Sequence, residues 1–196
     1  MTDSRKSASY IQQVSAICAL GANINAIETQ LFSTAQSPLK CTDVYSPGRP
    51  LTLGIVADLP AHADTRNNSL LAAALEPLRA HIEQLKSRFG AERIGVILGS
   101  STSGIAEGEA AVIRHMETGS FPPAFHYEQQ EMSAPSTYVA NQLQVKGPSW
   151  TISTACTSGA KAIASGARLL ALGVCDAVIV GGADSLCRLT VEGFMA

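Results

Sequence analysis

Residues 149–184 contain two strand-like segments on either side of a helical pattern, and this order constrains the fold more than any other feature of the chain. The segment "SWTIST" (149–154) has the composition of a strand. From Gly159 small and apolar residues recur on one helical face, and "DAVIVGGAD" (176–184) is predicted to be a buried strand that ends in a double glycine. Residues 149–181 are therefore predicted to form one strand–helix–strand unit, in which a crossover helix joins two parallel strands.

The preceding residues show the same alternation of strand and helix patterns, which is typical of a layered α/β fold with a mixed, mostly parallel sheet. Strands are predicted at 10–19, 51–57 and 93–99, and the last is an apolar run of the kind that is buried on both faces. Pro77 is expected to kink one helix, and Pro135 suits the first turn of another. The predicted helices span residues 23–32 (capped by Asn23), 67–86, 105–118 and 134–144.

The composition is that of a globular chain and excludes several classes of partner. With 46% hydrophobic residues, 196 residues can bury one sizeable core. A formal charge of −2 provides no basic field for nucleic acid. The first residues lack the layout of a signal peptide, and the most apolar region, 169–183, is interrupted by Asp176. A cytoplasmic chain without membrane contact is therefore expected.

One of the five cysteines, Cys156, lies at the predicted bend between strand 149–154 and the helix that follows it. The cysteines are widely scattered and form no C-x-x-C pair, which argues against a disulfide framework and against a zinc site. Cys18, Cys175 and Cys187 are expected to be buried packing residues, because free cysteine often behaves as a small hydrophobic residue. For Cys156 the local pattern leaves burial and nucleophilic catalysis equally open.

Three physical properties of the bend suit a nucleophile. The small neighbours in "TACTSG" (154–159) permit a sharp strand-to-helix turn that presents the sulfur. The N-terminal end of the following helix favours the thiolate over the thiol. Its N–H groups are also able to hold the oxygen of a tetrahedral intermediate formed from a thioester. Acyl transfer is the chemistry that this arrangement suits.

The segment "STACTSGAKAIASGARLLALGVCDAVIVGGAD" (153–184) closely resembles the active-site segment of the β-ketoacyl-acyl carrier protein synthases. The segments "ALGANINAIETQLF" (19–32) and "RIGVILGSSTSG" (93–104) resemble the opening and the central strand and loop of that family. The resemblance implies a thiolase-type fold, in which Cys156 accepts an acyl group from a carrier-protein thioester and later donates it to a decarboxylated malonyl unit. It implies no metal and no redox cofactor.

The resemblance covers only the first half of such an enzyme. Thiolase-fold enzymes contain two similar halves and are roughly twice this length, so residues 1–196 are expected to be a truncated N-terminal domain whose C-terminal half is absent. In the family, two histidines and a lysine that assist malonyl decarboxylation belong to that second half. No motif links Cys156 to the four histidines present, which are His62, His81, His115 and His126. The half alone is therefore expected to be incomplete as a catalyst.

Thr102, Tyr138 and Phe194 are the predicted substrate-binding residues. In the family the acyl pocket is lined partly by the partner subunit across a dimer interface, and residues 105–140 would contribute to it here. Thr102 lies in the loop "SSTSG" and Phe194 close to the last residue. The ordinary alternatives are a core position for Tyr138 and a strand-ending loop for Thr102.

The expected partners are an acyl carrier protein and either a second copy of the chain or a separate C-terminal half. Two other functions remain open. The chain could be a non-catalytic, dimerising partner like the chain-length factors of polyketide systems, although these usually replace the cysteine. It could instead be a thiolase acting on coenzyme A esters, although the "TACTSG" context favours the carrier-protein branch.

Overall fold

The structure is a computed structural model that describes residues 8–33, 37–57, 59 and 64–196. The strands are β1 (Lys40–Thr42), β2 (Leu51–Leu53), β3 (Ile94–Gly99), β4 (Ser149–Ile152) and β5 (Ala177–Gly182). The α-helices are α1 (Ile24–Leu31), α2 (Arg66–Leu75), α3 (Arg79–Phe89), α4 (Ile105–Thr118), α5 (Ala134–Leu143), α6 (Ser158–Ala171) and α7 (Arg188–Met195). Short 3-10 turns lie at Glu76–Leu78, Ala91–Arg93 and Tyr127–Gln130.

The centre of the fold is a parallel sheet of three strands in the order β4–β3–β5. Gly99, the last residue of β3, is in register with Ile152 on one side and with Gly182 on the other. All three strands therefore end at the same edge of the sheet, which we call the carboxyl edge. Strands β1 and β2 form a separate antiparallel pair.

Helices cover both faces of the sheet. On one face, α2, α3 and α5 pack against the side chains of alternate β3 residues, and on the other face α6 packs against β3 and β5. Every residue of β3 is buried, as expected of a central parallel strand. The main hydrophobic cluster consists of Leu71, Leu75, Ile82, Ile94, Val96, Leu98, Val139, Leu143 and Val145.

Small residues set the distance between α6 and the sheet. Ala162 is completely buried, and a Cβ atom at Gly166 would lie 2.5 Å from a methyl carbon of Val180. Larger side chains at these two positions would push the helix away from β5. The small and apolar face predicted from the sequence is a different one and is wrong, because three of its residues are exposed (Ala160, Ile163 and Ala171); its other members are Ala164, Ala167 and Leu170.

The strand–helix–strand unit and the layered α/β fold are confirmed. The predicted helices at 105–118 and 134–144 form within one residue of their expected ends, and Pro135 occupies the first turn of α5. The predicted helix at 67–86 is divided at Pro77 into α2, a 3-10 turn and α3. Proline lacks the N–H group that would continue the helix, which explains the break.

The predicted strand at 10–19 is wrong. Residues 8–17 form no regular element, and Tyr10, Ile11 and Val14 are largely exposed. Cys18 makes only an isolated bridge to Gly21 and is exposed, so its expected burial is wrong as well. The sequence has the composition of a strand, but among the described residues no neighbouring strand pairs with it, and an unpaired strand is not stable.

Other differences concern the extent of elements. The strand predicted at 51–57 is limited to Leu51–Leu53, where the short strand β1, which was not predicted, pairs with it. Strand β5 is mostly half-buried, whereas the sequence predicted a buried strand. Its position at the edge of the sheet leaves it less covered than β3. Helix α7 was also not predicted.

None of the described helices is long and apolar enough to cross a membrane.

Candidate active site

Cys156 lies in the turn between β4 and α6, at the carboxyl edge of the sheet. Its side chain is an exposed free thiol. Strand β4 ends at Ile152 and α6 begins at Ser158, so only five residues reverse the direction of the chain. The structure therefore presents this cysteine at the N-terminal end of a helix and does not bury it.

Ala155, the residue before Cys156, has a left-handed backbone with φ of +53°. This conformation costs a residue other than glycine about 1–2 kcal/mol. Such strain persists only where surrounding contacts hold the backbone, and it is found often at functional sites. In serine hydrolases the nucleophile also lies on a sharp, strained strand-to-helix turn.

The buried Ser158 hydroxyl stabilises the turn through two hydrogen bonds. Its oxygen accepts a hydrogen bond from the Thr154 N–H at 2.9 Å and donates to the Ala155 carbonyl at 2.7 Å. Ser158 is buried, and the Thr157 hydroxyl makes a further 2.8 Å bond to the Thr154 carbonyl. These three bonds connect the residues before Cys156 with the residues after it. They therefore compensate for the strain at Ala155.

Two glycines allow close packing at the carboxyl edge, where Gly99 lies against the start of α6 and Gly182 lies against Gly99. A Cβ atom at Gly99 would lie 2.7 Å from the carbonyl carbon of Ser158 and 2.8 Å from the nitrogen of Gly159. A Cβ atom at Gly182 would lie 2.5 Å from the Gly99 carbonyl oxygen. The end of β3 is therefore packed directly beneath the first turn of α6, where only hydrogen atoms fit.

The N–H groups at the helix start are partly used by the turn. The Thr157 N–H donates to the Thr154 carbonyl at 3.4 Å, and the Ser158 N–H donates to the Ala155 carbonyl at 3.0 Å. The remaining N–H groups of the turn are the candidates to hold the oxygen of a tetrahedral intermediate.

The three predicted substrate-binding residues lie in different surroundings. Thr102 follows β3 at the same edge as Cys156, but it is only 2% exposed and its hydroxyl is hydrogen-bonded to Asp184. Tyr138 packs against the main hydrophobic cluster, and burial raises the pKa of its hydroxyl. Phe194 is 86% exposed on α7. Their role in substrate binding stays a prediction.

An apolar groove of about 390 Å³ runs along α4 and lies within the region predicted to line the acyl pocket. At one side the Glu109 carboxylate accepts hydrogen bonds from the N–H groups of Arg188 and Leu189, which joins α7 to α4. The groove is lined by Ile105, Gly108, Glu109, Val112, Ile113, Gln130 and Arg188.

The described histidines have partners other than Cys156. His81 contacts the Gln12 side chain at 3.0 Å, and the ring of His115 stacks on Phe121 with 4.4 Å between centroids. His126 caps the 3-10 turn Tyr127–Gln130. His62 lies outside the described residues. The part of the chain that the structure describes contains no group of histidine, cysteine and carboxylate side chains arranged to hold a metal ion.

Three curated proteins with sequence similarity have the same name. The chain is 37% identical over 116 residues to the 3-oxoacyl-acyl-carrier-protein synthase 2 of Vibrio cholerae and 36% identical over 116 residues to that of Vibrio harveyi. It is 43% identical over 54 residues to the synthase of the same name from Rhizobium meliloti. The matched regions cover 54%, 54% and 27% of this chain but only 26%, 26% and 13% of the respective relatives.

Solved structures have the same fold. One chain of the complex between the ketosynthase ApeO and its chain length factor ApeC, from Xenorhabdus doucetiae, is 41% identical and superposes with a TM-score of 0.87. That match covers 95% of this chain and 49% of the solved chain. The ishigamide ketosynthase/chain length factor, at 21% identity and a TM-score of 0.75 over 92% of this chain and 48% of the other, shows the fold alone.

These neighbours confirm the thiolase-type fold expected from the sequence, with one parallel sheet between helical layers. The family described as Beta-ketoacyl synthase, N-terminal domain, matches residues 62–196, which include the whole sheet, the Cys156 turn and the groove along α4. The chain therefore belongs to the β-ketoacyl synthase family and corresponds to its N-terminal domain.

Proposed function

We propose that this chain is the acyl-accepting half of a β-ketoacyl-acyl carrier protein synthase. In this role Cys156 takes an acyl group from the thioester of an acyl carrier protein. One observation carries the proposal: the thiol is exposed in a strained turn, at the N-terminal end of α6, above a glycine that allows no side chain. A cysteine with only a packing role does not need to be exposed in a strained turn at the start of a helix.

The transfer step uses groups that the structure places together. The Cys156 sulfur, as thiolate, attacks the carbonyl carbon of the incoming thioester, and a new C–S bond forms while the carbonyl oxygen becomes an oxyanion. The positive end of the α6 dipole and the N–H groups of the turn stabilise that charge. The intermediate then collapses, the C–S bond to the carrier breaks, and the carrier thiolate leaves with the electron pair.

The condensation step requires more than this chain. Decarboxylation of malonyl-carrier protein produces a carbanion equivalent, which attacks the acyl-Cys156 thioester and releases the cysteine. The histidines and lysine that assist this step in the family belong to a second domain, and the described histidines contact other groups. In this proposal residues 1–196 accept the acyl chain, and a C-terminal half supplies the groups for condensation.

The partners in this proposal follow from the same chemistry. The acyl chain enters the groove along α4, where apolar side chains of Ile105, Val112 and Ile113 are able to cover it. Homodimerisation or pairing with a C-terminal half covers Met116, Leu189 and Phe194, which are large and exposed. We also propose that the chain acts in the cytoplasm on carrier-protein substrates.

The cysteine favours an enzyme over a non-catalytic partner. The solved complex from Xenorhabdus doucetiae contains a ketosynthase and a chain length factor, so the similarity to one of its chains is compatible with either role. A partner without catalysis has no need for an exposed thiol between Ala155 and Thr157 in a strained turn.

Intact mass spectrometry after incubation with an acyl-carrier-protein thioester tests the proposal. The unmutated chain is expected to gain one acyl mass, and Cys156→Ala is expected to gain none. Cys41→Ser is the matched control, because Cys41 is also an exposed free thiol, and this variant is expected to be acylated like the unmutated chain. An unmutated chain that stays unacylated, with its fold intact, would contradict the proposal for the chain by itself.

A further inference from the structure

One oxygen of Asp184 binds the loop that follows β3. The Asp184 Oδ1 atom accepts hydrogen bonds from the N–H groups of Ser101 (2.7 Å) and Thr102 (3.1 Å). It also accepts from the hydroxyl of Ser100 at 3.2 Å and from the hydroxyl of Thr102 at 3.1 Å. Four donors on one carboxylate oxygen are a strong, charge-assisted attachment.

The attachment connects two loops at the carboxyl edge of the sheet. Asp184 follows β5, whereas its donors follow β3, more than 80 residues earlier in the chain. The Thr102 hydroxyl also accepts the Ser185 N–H at 3.1 Å, so each loop donates to the other. Ser100 and Thr102 are buried, and their hydroxyl groups therefore depend on these bonds.

The loop held in this way continues directly from Gly99, the glycine packed against the first turn of α6. The Ala183 N–H donates to the Gly99 carbonyl at 3.2 Å, and the Ser100 N–H donates to the Ile152 carbonyl at 3.1 Å. Gly99 itself touches the peptide between Ser158 and Gly159. A shift of the loop therefore changes the support of the first turn of α6, where the oxyanion of the acyl transfer is held.

We propose that Asp184 is a positioning residue for acyl transfer to Cys156, although it does not touch the reacting atoms. Its carboxylate fixes residues 100–102, and through Gly99 this loop fixes the N–H groups of the first turn of α6. This inference rests on the proposed function, because it assigns Asp184 to the same step. It also predicts which part of that step depends on Asp184: the stabilisation of the oxyanion and not the exposure of the thiol.

Two reactions of the same cysteine separate these effects. Alkylation by iodoacetamide displaces iodide from a saturated carbon and forms no oxyanion, so its rate reports the thiol. Acyl transfer from a carrier-protein thioester requires the oxyanion to be held. In Asp184→Ala we expect the rate of acyl transfer to fall by about tenfold or more. The fall should be smaller than the roughly 10²–10³-fold loss in kcat that follows removal of a complete oxyanion donor. Alkylation of Cys156 is expected to stay within about twofold of the unmutated rate, since the thiol remains exposed.

Asp176→Ala is the matched control. Asp176 is an exposed aspartate immediately before β5, at the opposite end of the strand from Asp184, and its partner is Arg93. We expect this variant to transfer acyl groups at the unmutated rate. Asp184→Asn keeps an oxygen acceptor without the charge, and we expect its transfer rate to lie between those of the unmutated chain and Asp184→Ala.

Hydrogen exchange on the same variants tests whether Asp184 positions the first turn of α6, even if the unmutated chain accepts no acyl group. That failure would contradict the proposed function of the chain alone. Faster exchange of the hydrogen-bonded amides of Thr157, Ser158 and Lys161 in Asp184→Ala, but not in Asp176→Ala, would support positioning. Unchanged exchange there would overturn it. Acyl transfer at the unmutated rate in Asp184→Ala would overturn it too, as would an equal loss of transfer and alkylation.

Discussion

Replacement of Gly99 by alanine tests the close packing of β3 against the first turn of α6. The new Cβ atom would lie 2.7 Å from the Ser158 carbonyl carbon, 2.8 Å from the Gly159 nitrogen and 2.9 Å from the Ser158 Cβ. Two of these are backbone atoms of α6, so relief requires the helix to move away from β3. Overpacking of this kind costs about 1–3 kcal/mol, and the lower entropy of the unfolded alanine chain returns about 0.4–1 kcal/mol. A net loss of about 1–2 kcal/mol is expected, which lowers the ratio of folded to unfolded chain roughly 5–30-fold.

Urea unfolding measures this loss, and Gly159→Ala provides the control. A Cβ atom at Gly159 would meet no atom within 4 Å, and alanine in a helix is about 0.5–1 kcal/mol more favourable than glycine. The two alanine variants are therefore expected to differ by about 2 kcal/mol, which separates their unfolding midpoints by roughly 1 M urea. Equal midpoints, with unchanged slopes, would refute the argument that Gly99 is needed for close approach.

Three further outcomes are expected. Thr65→Ala removes the buried N-cap of α2 and should lower the free energy of unfolding by about 0.5–2 kcal/mol in urea titrations, and no loss would contradict the cap. The hydrogen bond from Arg93 holds the pKa of Asp176 below its ordinary 3.8, so its contribution to stability is present above that pH and lost as the pH falls through the lower, folded-state pKa. The difference in unfolding midpoint between the unmutated chain and Asp176→Asn should therefore shrink from pH 5 to about pH 3, and a constant difference would contradict the pair. Brief treatment with iodoacetamide should alkylate the exposed thiols of Cys18, Cys41 and Cys156 and spare the buried thiols of Cys175 and Cys187. If mass mapping found the two buried cysteines labelled first, their buried packing would be contradicted.

Local patterns predicted the elements near Cys156 because the relevant information is local. The apolar run of β3 and the glycines at the strand ends each lie within a few consecutive residues. The packed face of α6 was predicted at the wrong residues, because Ala162 and Gly166 lie against the sheet. Pro77 also acts locally, since its missing N–H interrupts the helix at its own position. The same segments carried the family resemblance, which the match over residues 62–196 confirms.

Contacts between residues that are far apart in the chain could not be predicted from local sequence patterns. The segment 10–19 has the composition of a strand, but composition does not tell whether a partner strand lies beside it. The bonds between Asp184 and residues 100–102 connect positions more than 80 residues apart, so no pattern of consecutive residues indicates them. The left-handed backbone at Ala155 was also unpredicted, because a glycine would normally mark such a position.

The most direct test of the central claim compares the exposed thiols within one molecule. After a short incubation with an acyl-carrier-protein thioester, peptide mapping measures the acyl group on Cys18, Cys41 and Cys156, all of which are exposed. If the turn and the start of α6 activate Cys156, acylation should occur on that residue and be nearly absent from the other two. Equal acylation of the three cysteines would show that exposure alone controls the reaction and would contradict the assignment of Cys156 as the acyl acceptor.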